Sequence, residues 1–282
     1  MTVLVVGASG SLGSEVARQA SAAGRSVAGT STTGTSSGGT SAAGTVEWAR
    51  LDVTDRAATL ALVRAVRPTL VINTAYAVRS WRVCADGAAH VALAAADVGA
   101  RFVHLSTDAL HAGRPAPYLD TEEPTPVHTY GAAKAAAETA VAAITPDAVI
   151  VRTSLIIGDD RSQQVRLIVD LATGRQPGRL FTDEFRRPVA VADLAAAVLE
   201  LAATDYAGLI NVAGPETLSR AELGRRVAVA YGLDPAAVPT GTAAEAGLGP
   251  RPGIVLLDSR RAASLLRTPL RPVSEFLQPP AP

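Results

Sequence analysis

The chain has 282 residues, and its 26 basic and 26 acidic side chains leave no net charge at neutral pH. Without a positive field, neither nucleic acid nor an anionic membrane surface is expected as a partner. Cys84 is the only cysteine, which excludes an internal disulfide and suits a reducing compartment. The amino-terminal segment lacks the features of a signal peptide, and the apolar runs are too short to cross a bilayer, so we predict a cytoplasmic protein.

Strands and helices are predicted to alternate through the first half of the chain, because short β-branched segments alternate there with longer segments rich in alanine and leucine. The predicted helices include two that begin at N-caps, Asp55 and Thr129. Such alternation predicts an α/β fold with a doubly wound, parallel, Rossmann-type sheet. The predicted strands are 2–6, 26–30, 46–50, 69–73, 101–106 and 148–153, and the predicted helices are 12–23, 55–66, 83–98 and 129–143.

The pattern becomes less regular after Thr153. We therefore predict a dinucleotide-binding domain over residues 1–153 and a smaller, mainly substrate-binding portion over residues 154–282. A predicted strand at 209–212 is expected to join the sheet of the first domain, and helices are predicted at 191–203 and 219–231. Residues 31–45 contain only Ser, Thr, Gly and Ala, which predicts a flexible surface loop.

A glycine-rich segment follows the first predicted strand and opens the first helix. Glycines allow the backbone to approach a pyrophosphate, and the N-terminus of the helix offers free N–H donors to its charge. The spacing is G-x-x-G-x-x-G, and a purely structural turn would also use glycine, but the position directly after the first strand favours a dinucleotide site. The candidate cofactor contacts in this segment are Gly7, Ser9, Gly10, Ser11, Leu12 and Gly13.

The end of the second predicted strand bears on the choice of cofactor. In the NAD-type pattern, an acidic residue about 20 positions after the glycines holds the ribose hydroxyls. Thr30 and Ser31 occupy that place, and the first acidic residue beyond them is Glu47. Because an acidic side chain would repel a 2′-phosphate, its absence favours NADP(H), with NAD(H) as the alternative.

Two further strand ends carry candidate cofactor contacts. Asp52 and Val53 follow the third strand and are candidates for the adenine edge, although Asp52 is equally suited to capping the approach to the next helix. Asn73, Thr74 and Ala75 lie at the end of the fourth strand and are expected near the ribose and phosphates of the cofactor.

Tyr130 and Lys134 are four residues apart on a predicted helix, so their side chains lie on one face. A neighbouring ammonium favours the tyrosinate, lowers the pKa of the phenol and makes it a usable general acid. An amphipathic helix can carry such a pair by chance. Two facts favour the catalytic interpretation: the pair follows the strand end Ser106-Thr107-Asp108, and Lys134 is the only lysine in the chain.

With these motifs the chain resembles the extended short-chain dehydrogenase/reductases, and within them the dTDP-4-dehydrorhamnose reductase-like branch. The resemblance implies that Thr107 is a third catalytic residue, which hydrogen-bonds the substrate oxygen or Tyr130. Two positions depart from the family pattern: Cys84 stands where an Asn is usual, and Leu155 where a Trp is common. The matching segments are 7–13, 71–73, 102–108, 130–134, 151–154, 183–188, 251–252 and 257–259.

The substrate candidates come from the same segments. Arg186, Arg187 and Arg251 could grip a diphosphate through bidentate hydrogen bonds, although surface charge is an equally good interpretation. Asp108 and Ser154 complete the candidate substrate contacts. The implied partner is a small molecule, a nucleotide sugar, and a homodimer is compatible with the sequence.

We therefore predict an NAD(P)H-dependent enzyme that reduces a carbonyl on a nucleotide-activated sugar. Two alternatives are a sugar-nucleotide epimerase and a non-catalytic dinucleotide-binding regulatory subunit. The resemblance disfavours a dehydratase, because dehydratases of this superfamily typically carry Asp-Glu after the threonine of the fifth strand, and here Asp108 is followed by Ala109. No metal is predicted, since His90, His104, His111 and His128 lack ligand spacing, and each is interpreted as an ordinary buried or solvent-facing histidine.

Overall fold

The computed structural model describes residues 1–33, 46–249 and 251–278. Most of the predicted flexible loop, residues 34–45, lies outside the described residues. The described strands are β1 Thr2–Val6, β2 Ser26–Ser31, β3 Val46–Arg50, β4 Leu70–Asn73, β5 Arg101–Thr107, β6 Val149–Thr153, β7 Ile156–Ile157, β8 Leu180–Phe181, β9 Phe185–Arg186, β10 Val189–Ala190, β11 Gly208–Val212, β12 Leu218–Ser219 and β13 Thr240–Gly241.

The helices alternate with the long strands and continue into the C-terminal region. They are α1 Ser11–Ala22, α2 Arg56–Val66, α3 Gly87–Asp97, α4 Thr129–Ile144, α5 Gln163–Ala172, α6 Val191–Leu201, α7 Arg220–Ala230, α8 Arg260–Leu265 and α9 Val273–Phe276. Within the described part of the chain, none of them combines the length and the apolar character that crossing a bilayer requires.

Seven strands form one parallel sheet in the order β11-β6-β5-β4-β1-β2-β3. This confirms the predicted α/β fold with a Rossmann-like sheet. The strand order reverses between β1 and β4, and ligands of such sheets bind at the carboxyl ends of the strands beside this reversal. β11 extends the sheet beyond β6, while the division of the chain at residue 153 stays a prediction.

Helices cover the sheet on both faces, which explains why its strands are almost continuously apolar. Along β1, Val3 and Val5 belong to a core shared with α1 and α6, whereas Leu4 and Val6 belong to a core shared with α2, α3 and α4. All four side chains are fully buried. Alternate side chains of one strand therefore pack into two separate cores, one on each face of the sheet.

The C-terminal region has its own small core between α5 and α7, centred on Ile168, Leu223 and Val227. Three two-stranded sheets surround it: β7 with β10, β8 with β13, and β9 with β12. These short pairings bring segments that are far apart in the chain to the edge of the large sheet.

Two details differ from the sequence predictions. Among the predicted caps, the one at α2 is confirmed, because Asp55 accepts a hydrogen bond from the Ala58 amide. The N-cap of α4, however, is His128 and not Thr129, because the His128 ring accepts from the Gly131 amide at 2.9 Å. The helix predicted at 83–98 begins as a π-helical turn, Arg82–Asp86, before α3.

Candidate active site

The glycine-rich turn between β1 and α1 depends on two glycines for its shape. Gly7 has a φ of +81°, and a Cβ there would lie 2.8 Å from the Ala75 backbone. A Cβ on Gly13 would collide with the Gly7 carbonyl oxygen and with the Thr74 hydroxyl. Both positions therefore exclude larger residues for structural reasons.

Gly10 has a different role in the same turn. It is the N-cap of α1 in extended conformation, and a Cβ there would find only the Gly7 carbonyl oxygen, at 3.4 Å. The first turn of the helix carries no acidic residue. The N-terminus of α1 consequently offers free amides and a favourable dipole to an anion that approaches Gly10.

The end of β2 packs behind the glycine turn and bonds to it. The Thr30 hydroxyl accepts a hydrogen bond from the Gly7 amide at 3.3 Å, and the Thr30 side chain is buried. Asp52, by contrast, accepts from the Thr54 amide and hydroxyl at 2.9 and 2.8 Å. This geometry favours the capping interpretation of Asp52 over the adenine contact.

A cavity of about 330 Å³ opens at the carboxyl ends of the central strands. It joins the N-terminus of α1 to α4 and to the C-terminal region, so candidate cofactor and substrate residues share one space. The sequence-predicted residues that line it are Gly10, Ser11, Leu12, Gly13, Thr74, Ala75, Thr107, Asp108, Tyr130, Lys134, Ser154, Arg186 and Arg251.

The other predicted site residues lie behind this lining or apart from it. Gly7 and Asn73 accept hydrogen bonds from the amides of two lining residues, Gly10 and Ala75. Thr30 supports Gly7 from behind, and Val53 is buried in the core. Arg187 lines a second cavity, of about 380 Å³, and donates to the Leu257 carbonyl at 2.8 Å. The predicted residues outside the first cavity's lining are Gly7, Ser9, Thr30, Ser31, Asp52, Val53, Asn73 and Arg187.

Tyr130 and Lys134 both face the first cavity from α4. Burial raises the pKa of Tyr130 well above its usual range, and negative charge at Cys84 or Tyr76 acts in the same direction. The Thr107 hydroxyl beside the phenol acts in the opposite direction. The expectation that Lys134 lowers this pKa is therefore wrong for the protein alone, because burial prevails and keeps the phenol protonated.

Lys134 is almost completely buried. Its ammonium has no carboxylate partner among the described residues; it contacts the Leu105 carbonyl oxygen and, at 3.2 Å, His104 Nε2. Burial lowers the pKa of Lys134 to about 8. His104, interpreted from the sequence as an ordinary histidine, is thus in direct contact with the candidate catalytic lysine. A polar residue inside an otherwise apolar strand was the signal that could have identified it.

A buried polar group closes the cavity on the side of β6. Asp108 accepts a hydrogen bond from Ser154 at 2.7 Å and lies 3.5 Å from the Arg186 guanidinium. Burial raises the pKa of Asp108, although Arg186, Ser154 and Thr107 oppose this shift. The three side chains form one hydrogen-bonded and charged cluster in the cavity wall.

The two predicted arginines of the cavity are already partnered. Arg186 donates to the backbone carbonyls of Phe185, Gly253 and Pro252 at 2.7–2.8 Å. Arg251 pairs with Glu184 at 2.5 Å. Their guanidinium groups therefore hold the C-terminal segments together as well as lining the cavity.

Arg220 is the cationic residue that the sequence analysis missed. It lies at the start of α7 and lines the first cavity, and within the described residues its guanidinium forms no hydrogen bond or ion pair. Burial, together with the charge of Arg186, lowers its pKa to about 10, although the nearby carboxylates of Glu184 and Asp108 act in the opposite direction, so it is still a cation at neutral pH. In the sequence it follows a helix cap, Ser219, and nothing in its spacing distinguishes it from a surface arginine.

Comparison with known proteins gives a consistent result. The RmlD substrate binding domain family matches residues 1–279. A dTDP-4-dehydrorhamnose reductase from Mycobacterium tuberculosis is 32% identical over 95% of this chain and 88% of its own length. A dTDP-4-keto-6-deoxy-D-glucose reductase from Streptomyces niveus is 30% identical over 78% of this chain and 81% of its own length. The fold matches a crystal structure of a Bacillus anthracis dTDP-4-dehydrorhamnose reductase in complex with NADP, with a TM-score of 0.80, 24% identity, and 95% and 94% of the two chains covered.

Proposed function

This chain belongs to the RmlD substrate binding domain family, and from that premise we propose that it reduces the 4-keto group of a dTDP-linked deoxysugar with NADPH. It is an NAD(P)-dependent oxidoreductase of the extended short-chain dehydrogenase/reductase type, which agrees with the resemblance described above. The observation that carries the proposal is one cavity lined by Tyr130, Lys134 and Thr107, by the N-terminus of α1 and by an unpaired arginine.

The residues around Gly10 suit a dinucleotide. Its pyrophosphate would be held by the free amides at the start of α1, where Gly10 leaves space for a close approach. Lys134 lines the same cavity and is the residue expected to hold the nicotinamide ribose. When bound, the reduced nicotinamide supplies the hydride for the carbonyl carbon.

Tyr130 is proposed as the proton donor. Its raised pKa keeps the phenol protonated at neutral pH, which is the form that a general acid requires. Hydride addition turns the carbonyl oxygen into an alkoxide, which is a far stronger base than the tyrosinate and takes the phenol proton. Thr107 is placed to orient that oxygen, because its hydroxyl lies beside the phenol in the same wall.

Arg220 is proposed to bind the diphosphate of the nucleotide sugar. It is a cation in a partly buried cavity without a partner among the described side chains, and a guanidinium binds phosphate oxygens in a bidentate manner. Arg186 and Arg251 are less available, because backbone carbonyls and Glu184 already occupy their donors.

The experiment that tests the function is a cofactor-oxidation assay with dTDP-4-keto-6-deoxy sugars and with simple ketones. We expect NADPH oxidation with the nucleotide sugars and little with the simple ketones. Interconversion of a nucleotide sugar without net cofactor oxidation would support the epimerase alternative. Cofactor binding with no turnover of any nucleotide sugar would support the regulatory subunit.

The proposed preference for NADPH rests on Thr30, which stands where an acidic residue would select NAD. Its hydroxyl supports the Gly7 amide, and its neutral side chain does not repel a 2′-phosphate. Calorimetric titration of the purified chain with NADPH and NADH should give the tighter binding for NADPH. Tighter binding of NADH would contradict the preference and leave the proposed carbonyl reduction intact.

A further inference from the structure

A chain of buried polar groups connects the end of β4 to the catalytic lysine. The Ala75 amide lies 3.1 Å from Asn73 Oδ1, Asn73 Nδ2 lies 3.3 Å from His104 Nδ1, and His104 Nε2 lies 3.2 Å from Lys134 Nζ. Asn73 and Lys134 are almost completely buried, and His104 is fully buried. The mechanism above uses only the last member of this chain.

In this series of buried polar groups, the geometry fixes which atom of each hydrogen bond is the donor and which is the acceptor. A backbone N–H can only donate, so the Ala75 amide must face the oxygen of the Asn73 side chain. The Asn73 NH₂ group then faces His104 Nδ1, which has to accept. A neutral imidazole with an accepting Nδ1 carries its proton on Nε2, and that N–H is directed at Lys134.

An ammonium group has three donors and no acceptor, whereas an uncharged amine has two donors and one lone pair. The His104 N–H therefore opposes the ammonium and suits the amine. The amine can accept from His104, donate to the Leu105 carbonyl oxygen and keep one N–H directed elsewhere. In addition, a buried ammonium without a carboxylate partner is costly, and the uncharged form avoids that cost.

We propose that Asn73 and His104 are positioning residues that present an N–H donor to Lys134 and favour its uncharged form in the protein without ligands. The Ala75 backbone amide fixes the direction of these hydrogen bonds. The Ala75 backbone also lies directly against Gly7 of the glycine turn. The significance for catalysis rests on the proposed function, since it is there that Lys134 holds the cofactor.

Other titratable groups near Lys134 act against this effect. Negative charge on Cys84, in the π-helical turn, or on Glu138, one turn further along α4, raises the pKa of Lys134. Glu138 is, however, paired with Arg152 at 2.7 Å. Burial holds the pKa of His104 well below its usual range, and an ammonium at Lys134 would lower it further, so the imidazole is neutral at neutral pH with either form of Lys134.

The sole lysine allows a direct test that needs neither substrate nor cofactor. Protein labelled with ¹³C and ¹⁵N in lysine gives one side-chain NMR signal, and labelling in histidine gives signals for four residues. We expect the Lys134 signal to titrate with a midpoint at or below about 8, against about 10.4 for a free lysine. His104 should carry its proton on Nε2. A proton on Nδ1 of His104, or a Lys134 midpoint near that of free lysine, would overturn the proposal.

One variant separates the effect of the donor from that of burial, and a second reverses the direction of the hydrogen bonds. His104→Phe removes the N–H donor and keeps an apolar ring, so the Lys134 midpoint should rise by about one unit. If burial alone sets the titration, the midpoint stays or falls. Asn73→Asp replaces the NH₂ donor by an acceptor, so His104 should move its proton to Nδ1, and a proton that stays on Nε2 would contradict the proposed direction of the hydrogen bonds. The readout of this variant is the His104 tautomer, because the added carboxylate raises the Lys134 midpoint by its charge alone. His90→Gln, in a histidine that instead contacts the Val53 carbonyl, is the control and should leave Lys134 unchanged.

Because these measurements are made on the free protein, their outcome is independent of the assay for the proposed function. A normal lysine titration in an active reductase would overturn only the role of Asn73 and His104. The expected titration in a protein without turnover would leave this role in place and remove the proposed reaction.

Discussion

The two sides of the cavity are constructed on different principles. The side formed by β1, β4 and α1 uses backbone amides, glycines and neutral hydrogen bonds, and no acidic residue lies in the first turn of α1. The side formed by the C-terminal region is crowded with charge: Arg186, Arg220 and Arg251 lie beside Asp108 and Glu184. The first side is suited to a ligand that is held by shape and dipoles, the second to one that must be held by charge.

This contrast shows that a charged side chain in a cavity wall is not necessarily available to bind a ligand. Most of the charge on the C-terminal side is neutralised within the protein, through the pair Arg251–Glu184 and the contact of Arg186 with Asp108. Ion pairs of this kind connect distant parts of the chain and so maintain the wall. Of the three arginines that the structure places in this wall, Arg220 alone has no ion pair and no side-chain hydrogen bond to a described residue, so it is the one free to act on a ligand.

The largest loss of activity is expected from a substitution at Tyr130, which lines the cavity between its two sides. Tyr130→Phe removes the proposed proton donor and leaves both binding sides unchanged, so turnover should fall by about 10²–10⁴-fold while cofactor affinity is retained. Steady-state kinetics and cofactor titration on the same preparation check this. Tyr231→Phe, a half-exposed phenol directly after α7, is the control and should keep the wild-type rate. Equal rates for both variants would assign the proton to another group.

A single carboxylate at the N-terminus of α1 should disrupt ligand binding on the side of the cavity that is formed by backbone amides. Gly10→Asp should lower dinucleotide affinity by about a hundredfold or more, because a negative charge then stands near the pyrophosphate. The fold should survive, since the N-cap geometry of Gly10 accepts a Cβ and Asp is a favoured N-cap.

Gly10→Asn is the matched control for this variant, because it has nearly the same size and the same capping ability without the charge. It should lose much less affinity in the same calorimetric titration. If the two variants bind the dinucleotide equally well, the N-terminus of α1 is not the anion site.

The charge-based side predicts a smaller and more selective change. Arg220→Gln removes the unpaired guanidinium, and the loss of one charged hydrogen-bonding partner corresponds to about 1.5–3 kcal/mol, or about 10–100-fold in KM for the nucleotide sugar. Cofactor affinity should not change. Arg187→Gln, in the second cavity, should leave that KM at the wild-type value. If Arg187→Gln raises this KM and Arg220→Gln does not, the diphosphate is bound at Arg187, one of the three arginines that the sequence suggested.

The sequence predicted best those features that depend on neighbours in the chain. The glycine turn and the pair Tyr130–Lys134 are local motifs, and the strands of the large sheet have patterns that their two covered faces impose. Thr129 was predicted as the N-cap of α4 because threonine is a favoured cap, whereas in the structure His128 supplies the acceptor. This error shifted the cap by one residue and left the helix in place.

Features that depend on contacts between distant residues could not be predicted. Arg186 is held by the carbonyls of Pro252 and Gly253, and no pattern near Arg186 indicates this. The contact between His104 and Lys134 likewise joins a strand to a helix 30 residues away. Whether a charged residue is available or already paired is thus a property of the folded chain.

The burial of Lys134 has a practical consequence, because this residue is also the only lysine in the chain. A protease specific for lysine has one site in the polypeptide, in the interior of α4, and cleavage there separates residues 1–134 from residues 135–282. The site becomes accessible only when the helix detaches from the core beside the cavity. Proteolysis by such an enzyme therefore follows a single opening event in the molecule, and a ligand that tightens the cavity lengthens the lifetime of the intact chain.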